Sequence, residues 1–208
     1  MSDYQFLQLE YQAGCATVWL NRPERHNAFH EGLLAELSRC LAQLSQDEAV
    51  RAIVLAGRGR NFCAGADLEW MQRQALAGYD ANLEDARLLA WTLRTLAQSP
   101  KPTIARVHGA ALGGGMGLVA ACDIAMATRE ASFGTTEVRL GLTPSTIAPY
   151  VIAAIGERAA RRYFLSGERF DAKQALHIGL IHEAVDAGEL DRRLADLLDA
   201  LRSAGPLA

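Results

Sequence analysis

The sequence predicts one α/β domain whose strands pair mostly in parallel. Three observations predict it. Short apolar runs at 51–56, 103–107 and 124–127 alternate with segments that carry leucines at helical spacing. The stretch 103–122 reads as strand, glycine turn and helix start, the unit from which parallel sheets are built. No fixed-period repeat and no low-complexity segment interrupts the alternation.

The elements follow in order. Residues 4–11 and 15–20 are rich in aromatic and β-branched residues and are joined by Gln12, Ala13 and Gly14, which predicts a hairpin. Residues 21–27 form a polar loop. Residues 29–44 place Leu33, Leu34, Leu37, Leu41 and Leu44 on one helical face. A short strand is expected over 51–56, a turn over 57–61, and helices over 69–76 and 82–97, the second stopped by Pro100 and Pro102. After the glycine-rich stretch come a strand at 124–127, an extended piece at 131–134 and one helical turn at 136–140. A turn at 142–145 leads to helical segments 147–155 and 157–165. Asp171 is expected to cap a short helix that ends near Gly179. A strand at 180–185 and an amphipathic helix at 190–201 complete the chain, the helix carrying Leu190, Leu194, Leu197, Leu198 and Leu201 on one face.

With 208 residues, half of them apolar, the chain can bury a sizeable core. Its net charge of −3 leaves no electrostatic footprint for nucleic acid or an anionic membrane. The Arg158, Arg161, Arg162 cluster therefore reads as a solvated helix face or a subunit contact. No secretion signal and no apolar run of membrane-spanning length is visible, so a cytoplasmic protein is expected. Cys15, Cys40, Cys63 and Cys122 are widely spaced without a C-x-x-C pair, which predicts reduced, buried thiols and no metal site.

The chemistry is expected around His108–Ala127, where Gly109 and the run Gly113, Gly114 and Gly115 precede an apolar helix. The first N–H groups of a helix lack partners inside it, and the helix dipole is positive there. Glycines let a ligand approach the backbone. Such a place suits an anion, or an oxygen that becomes one during reaction. The same glycines also fit plain close packing of helix on strand. The spacing is not G-x-G-x-x-G, and no Gly-Lys-Ser/Thr follows, which excludes dinucleotide and P-loop readings.

Three segments in register carry a resemblance. Asn21-Arg-Pro-Glu-Arg-His-Asn-Ala28 resembles the N-R-P-x-x-x-N-A loop of the crotonase (enoyl-CoA hydratase/isomerase) superfamily. Phe62-Cys-Ala-Gly-Ala-Asp-Leu68 is similar to its first oxyanion-hole loop. Gly109-Ala-Ala-Leu-Gly-Gly-Gly115, with Ala121-Cys-Asp-Ile-Ala125, is similar to its second. The resemblance implies a spiral of ββα units with peripheral C-terminal helices, assembled as a homotrimer or dimer of trimers. It implies an acyl-CoA substrate, coenzyme A entering only as part of that substrate, with no permanently bound cofactor. The enolate oxygen would be held by the Ala66 and Gly114 N–H groups. Coenzyme A contacts would come from Arg25, His26 and Ala28 and from the backbone of Ala64, Ala66 and Leu68, with Asp67 nearby. Arg25 and His26 read equally as a solvated loop, and Asp67 as a helix cap.

In the family's standard hydratases two glutamates hold one water. One of those positions is Gly117 here, a departure, and the other is Glu137. A family glycine further on is Ser145. Glu137 is thus the expected proton-transfer group, against the plainer reading of a surface glutamate paired with Arg139 or Arg169. Residues 62–71, 137–150 and 154–165 resemble bacterial hydratases of the 3-methylglutaconyl-CoA and isohexenylglutaconyl-CoA type, whose substrates carry an extra carboxylate. Gly117 is then expected either to mark lost activity or to make room for that carboxylate or its branch. Trp70, Met71 and Trp91 are expected in the core or lining the acyl pocket. His108, His177 and His182 are expected to be structural.

The resemblance implies a lyase that hydrates a branched, carboxylated 2-enoyl-CoA. The alternatives are a double-bond isomerase, or an acyl-CoA-binding protein without catalysis. Residues 1–187 are expected to form the core and 188–208 to begin a C-terminal helical region that stops at Ala208 short of the family's further helices, through truncation or because a tail is unobserved.

Overall fold

The computed structural model describes residues 4–205; the extreme ends of the two ranges just given, 1–3 and 206–208, lie outside the described residues. Strands β1 (Leu7–Gln12) and β2 (Cys15–Leu20) form the expected hairpin, with Leu7 opposite Leu20. Its two-residue turn places Ala13 and Gly14 at φ 49° and 76°, the left-handed pair that matches strand twist. Residues 4–6 stay out of the strand because the amides of Gln5 and Phe6 donate to the Glu36 carboxylate instead.

Strands β3 (Ala52–Gly57), β4 (Thr103–Val107), β6 (Ile124–Thr128) and β9 (Glu183–Val185) extend the hairpin into a sheet of order β1-β2-β3-β4-β6-β9. Every pairing in it except β1 with β2 is parallel. A second sheet, order β5-β7-β8, joins β5 (Ala110–Leu112), β7 (Ser132–Gly134) and β8 (Phe170–Asp171). β5 and β8 are too short to show a period in sequence; long-range pairing makes them.

Helix α1 (Glu31–Gln46) buries the five leucines expected of it, and His30 caps it by accepting the Leu33 amide at 3.1 Å. Helices α2 (Leu68–Leu76) and α3 (Tyr79–Ala97) follow the first bend, and α4 (Gly114–Ala121) follows the second. The helical turn at 136–140 is a short 3-10 turn. Segments 147–155 and 157–165 form α5 (Ala148–Ser166), broken at Gly156, whose φ of 75° and ψ of 157° are not helical. Asp171 caps α6 (Ala172–His177) by accepting the Gln174 amide at 2.8 Å.

Strand alternation sends side chains to two faces. Ile53, Leu55, Ala105, Val107, Ala125 and Ala127 join the main core with α1, α4 and α5. Ala52, Val54, Ile104 and Met126 face the other way, under Leu190 and Leu194 of α7 (Leu190–Ser203).

Candidate active site

The first bend is assembled from the 21–28 loop upward. Asn27 is buried at φ 55°, and its side chain bonds the Arg22 amide at 2.9 Å and the carbonyls of Arg58 and Asn61 at 2.8 Å. The Ala64 amide donates to the His26 carbonyl at 3.0 Å. Phe29 then pairs with Ala66 in parallel: the Phe29 amide donates to Gly65 O, and the Asp67 amide to Phe29 O, both at 2.9 Å. In such a pairing one residue makes both bonds, so the Ala66 N–H points away from Phe29. Among the described residues it has no partner.

The second bend lies against the first. The Cys63 amide donates to Ala110 O and the Leu112 amide to Cys63 O, each at 3.0 Å. The Gly113 amide donates to Gly134 O at 2.8 Å, which leaves Gly114, the first residue of α4, with an N–H lacking any partner among the described residues. Two glycines permit the approach. A Cβ on Gly115 would stand 2.5 Å from Cys63 O, and one on Gly65, at φ 97°, would stand 2.9 Å from Leu112 O. Close packing and an open amide are thus both present; the two readings of the glycine run coexist.

Glu137 faces this bend. Its Oε2 would lie 3.1 Å from a Cβ placed on Gly113. That oxygen is buried and has no hydrogen-bond partner among the described residues. Burial raises the carboxyl's pKa above the ordinary glutamate range. Among the described residues Oε2 has no ion-pair partner, Arg139 and Arg169 included. The 3-10 turn holding Glu137 is anchored by Thr135, whose buried hydroxyl donates to Tyr163 O at 2.9 Å.

Gly117 does not open a space. A Cβ there would collide with Ile147 Cγ2 and stand 2.8 Å from Ile147 Cβ. Ile147, itself 2 % exposed, already fills the volume, which corrects the expectation of room for a substrate branch. Ser145 is exposed. Asp67 has both carboxylate oxygens engaged: Oδ1 accepts the amides of Glu69 at 2.9 Å and Trp70 at 3.3 Å, and Oδ2 meets Arg22 Nη2 at 3.0 Å. Burial pushes its carboxyl up, but the Trp70 amide, Arg22 and the Glu69 amide outweigh this and hold its pKa below the ordinary value.

Trp70 is buried, with its ring 6.0 Å from that of Phe29, and the Phe29 ring backs Gly114. Met71 is half-buried, whereas Trp91 is 59 % exposed, contrary to its expected place in the core or pocket. Ala28 is buried; Arg25 and Leu68 are exposed, and Arg25 pairs with Glu69 at 2.9 Å. His108 Nε2 contacts Gly59 O at 2.8 Å and His182 Nδ1 accepts the Ala125 amide at 3.1 Å, both packing contacts. Phe29, Ile147 and Arg22 were not singled out by sequence; only a hydrophobic at 147 hinted at burial.

A cleft of about 530 Å³ opens beside the first bend, lined in part by His26, Arg60, Asn61, Ala64, Leu112 and Arg169. A larger one, about 820 Å³, meets it at Glu130, Ser132 and Arg169; Glu137, Ala66 and Gly114 line neither, but the smaller cleft is lined by Ala64 of the first bend and Leu112 of the second. Among the described residues no cluster of three or more His, Cys, Asp or Glu could hold a metal, and no helix is long and apolar enough to cross a membrane. Burial pushes the Cys63 thiol up to about 12.

Two unpaired amides stand on adjoining bends, with a buried acid beside one of them; backbone donors of this kind can receive charge that develops on an oxygen. Comparison gives the family. The enoyl-CoA hydratase/isomerase family model matches residues 10–208, and the chain belongs to that family. An enoyl-CoA hydratase structure from Shewanella pealeana is 44 % identical with TM-score 0.95, covering 98 % of this chain and 76 % of that one. The hydroxycinnamoyl-CoA hydratase-lyase of Pseudomonas fluorescens is 34 % identical, covering 100 % of this chain and 78 % of its own. The 1,2-epoxyphenylacetyl-CoA isomerase of Escherichia coli is 35 % identical over 95 % of this chain and 74 % of its own. The crotonase-like α/β fold expected from the motifs is thereby met.

Proposed function

We propose that this enoyl-CoA hydratase-like enzyme adds water across the 2,3 double bond of a branched, carboxylated 2-enoyl-CoA with Glu137 as its single acid/base group. The observation that carries this is the buried, unpartnered Glu137 Oε2 beside the second bend. As the water oxygen bonds to Cβ, the Glu137 carboxylate takes its proton, and the thioester becomes an enolate. The Ala66 and Gly114 N–H groups receive that charge on oxygen. Protonated Glu137 then returns its proton to Cα on the same face, a syn addition. A raised pKa suits a group that must both take and give a proton.

Coenzyme A would run past His26 and Ala64, both on the smaller cleft, with Arg25, Ala28, Leu68 and Asp67 close by. Since both Asp67 oxygens are held internally, its part is to shape the loop. Trp70 and Met71 would border the acyl chain. The branched, carboxylated substrate rests on the likeness of residues 62–71, 137–150 and 154–165 to hydratases of that type, and no longer on Gly117. Self-association as a trimer or dimer of trimers would cover exposed Leu68, Leu76, Tyr79 and Leu165.

The test is turnover of 3-methylglutaconyl-CoA against crotonyl-CoA: a clear preference for crotonyl-CoA would refute the substrate. A double-bond isomerase is the second reading, favoured by Ile147 filling the place over Gly117 and leaving one acid. Heavy-oxygen water separates them, because isomerisation puts no solvent oxygen into product.

A further inference from the structure

We infer that Arg22 is a positioning residue that sets the direction of the Ala66 N–H by bracing both strands of the Phe29–Ala66 pairing. The inference rests on the oxyanion reading of Ala66 above. The guanidinium reaches one residue to each side of that pairing. Nη1 donates to the carbonyl of Ala28, just before Phe29, at 2.5 Å, and Nη2 donates to Asp67 Oδ2, just after Ala66, at 3.0 Å. The Arg22 and Asp67 side chains are only 11 % and 8 % exposed, so the brace is screened little by solvent. Asp67 in turn caps α2 through its other oxygen, which ties the peptide after Ala66 to the helix that follows. The main chain of Arg22 is held as well, by Asn27 Oδ1 at 2.9 Å, so the guanidinium starts from a fixed point.

A planar fork with donors on two nitrogens can bridge a carbonyl and a carboxylate; an ammonium presents a single point charge and cannot hold both in that geometry. With the brace gone, the two main-chain bonds of the pairing remain, and the chain can still fold around them. The orientation of the Ala66 amide then depends on two bonds at the edge of a loop. The second bend contains no counterpart of Arg22: its amide is set by strand pairing and steric fit.

The experiment uses acetyl-CoA bound to the full chain, read by infrared difference spectroscopy of the thioester carbonyl, beside steady-state turnover. In the wild type, the two amides should lower the carbonyl stretching frequency. In Arg22→Ala, part of that shift should be lost and kcat should fall by about 10²-fold, the scale of misplacing a reacting group by about 1 Å, with KM changing much less. Guanidinium chloride, at a concentration that leaves the wild type folded, should restore both. Arg22→Lys, which keeps the charge without the fork and guards against a variant that fails to fold, should recover only part of each. A full shift and normal kcat in folded Arg22→Ala or Arg22→Lys would overturn the positioning role and leave the oxyanion reading standing. No shift in the wild type would overturn both.

Discussion

The two bends present an open amide by opposite means. Around residues 62–67 the backbone is steered by side chains: Asn27 grips two carbonyls, Arg22 grips Asp67, and Asp67 grips the start of α2. Around residues 113–115 the backbone is steered by the lack of side chains, with Gly115 against Cys63 O and Gly114 against the Phe29 ring. The difference teaches which changes each bend can absorb. A side-chain brace can be weakened in steps, by shortening, by neutralising or by pH. A steric fit has no intermediate setting, since an atom added at Gly114 meets a buried ring and one added at Gly115 meets backbone.

The largest effect should therefore come from the second bend. Gly114→Pro deletes one N–H at a helix position that otherwise tolerates proline. It should lower kcat by at least the ~10²–10³ of a lost oxyanion donor, with the Phe29 clash adding to the loss. A rate within tenfold of wild type would break the contrast between the bends. Next, Glu137→Gln should lower kcat by at least ~10², the scale of one general acid/base group. Because burial raises the Glu137 pKa, the acid limb of its pH–rate profile should lie above the ordinary glutamate range if the carboxylate starts the reaction.

The first bend should answer in stability as well as rate. Asp67→Ala strips a cap and leaves Arg22 buried without its anion, a loss of roughly 3–5 kcal/mol, measurable by urea unfolding. Its pH dependence has a definite sign. The Asp67 pKa is depressed by folding, so its contribution is complete above the unfolded carboxylate pKa and fades as pH falls through the folded one. The gap between wild type and Asp67→Ala should narrow only in strong acid. The smallest effect runs the other way. Folding raises the Glu137 pKa, so that group favours the native state in acid and loses this advantage as pH rises through the folded value. Glu137→Gln should then melt slightly higher than wild type at pH 8, with the difference gone at pH 4.

Sequence showed the helices and the hairpin because each rests on local rules: leucine spacing in α1, a left-handed pair at Ala13 and Gly14, aspartate caps at 67 and 171. The resemblance pointed to the two bends and Glu137 because their motifs are continuous; the folded chain sets the second bend against the first and Glu137 Oε2 beside Gly113. Sequence did not show what fills the space over Gly117. That depends on Ile147, which follows at the start of α5 and reaches back onto α4 only in the folded chain. Nor did it show Arg22 with Asp67, two common residues whose meaning lies in their separation in space. β5 and β8 were hidden for a related reason, since segments of three and two residues carry no period.

Helix α7 has a consequence for anyone who shortens this chain. Its leucines roof the back of the large sheet, where Cys15, Ala52, Val54, Ile104 and Met126 would otherwise meet water. Cutting ahead of Leu190 would bare an oily plane on the side of the sheet away from α4. Such a fragment should clump in the tube with its chemistry still assembled, and an inactive preparation would then report on solubility alone.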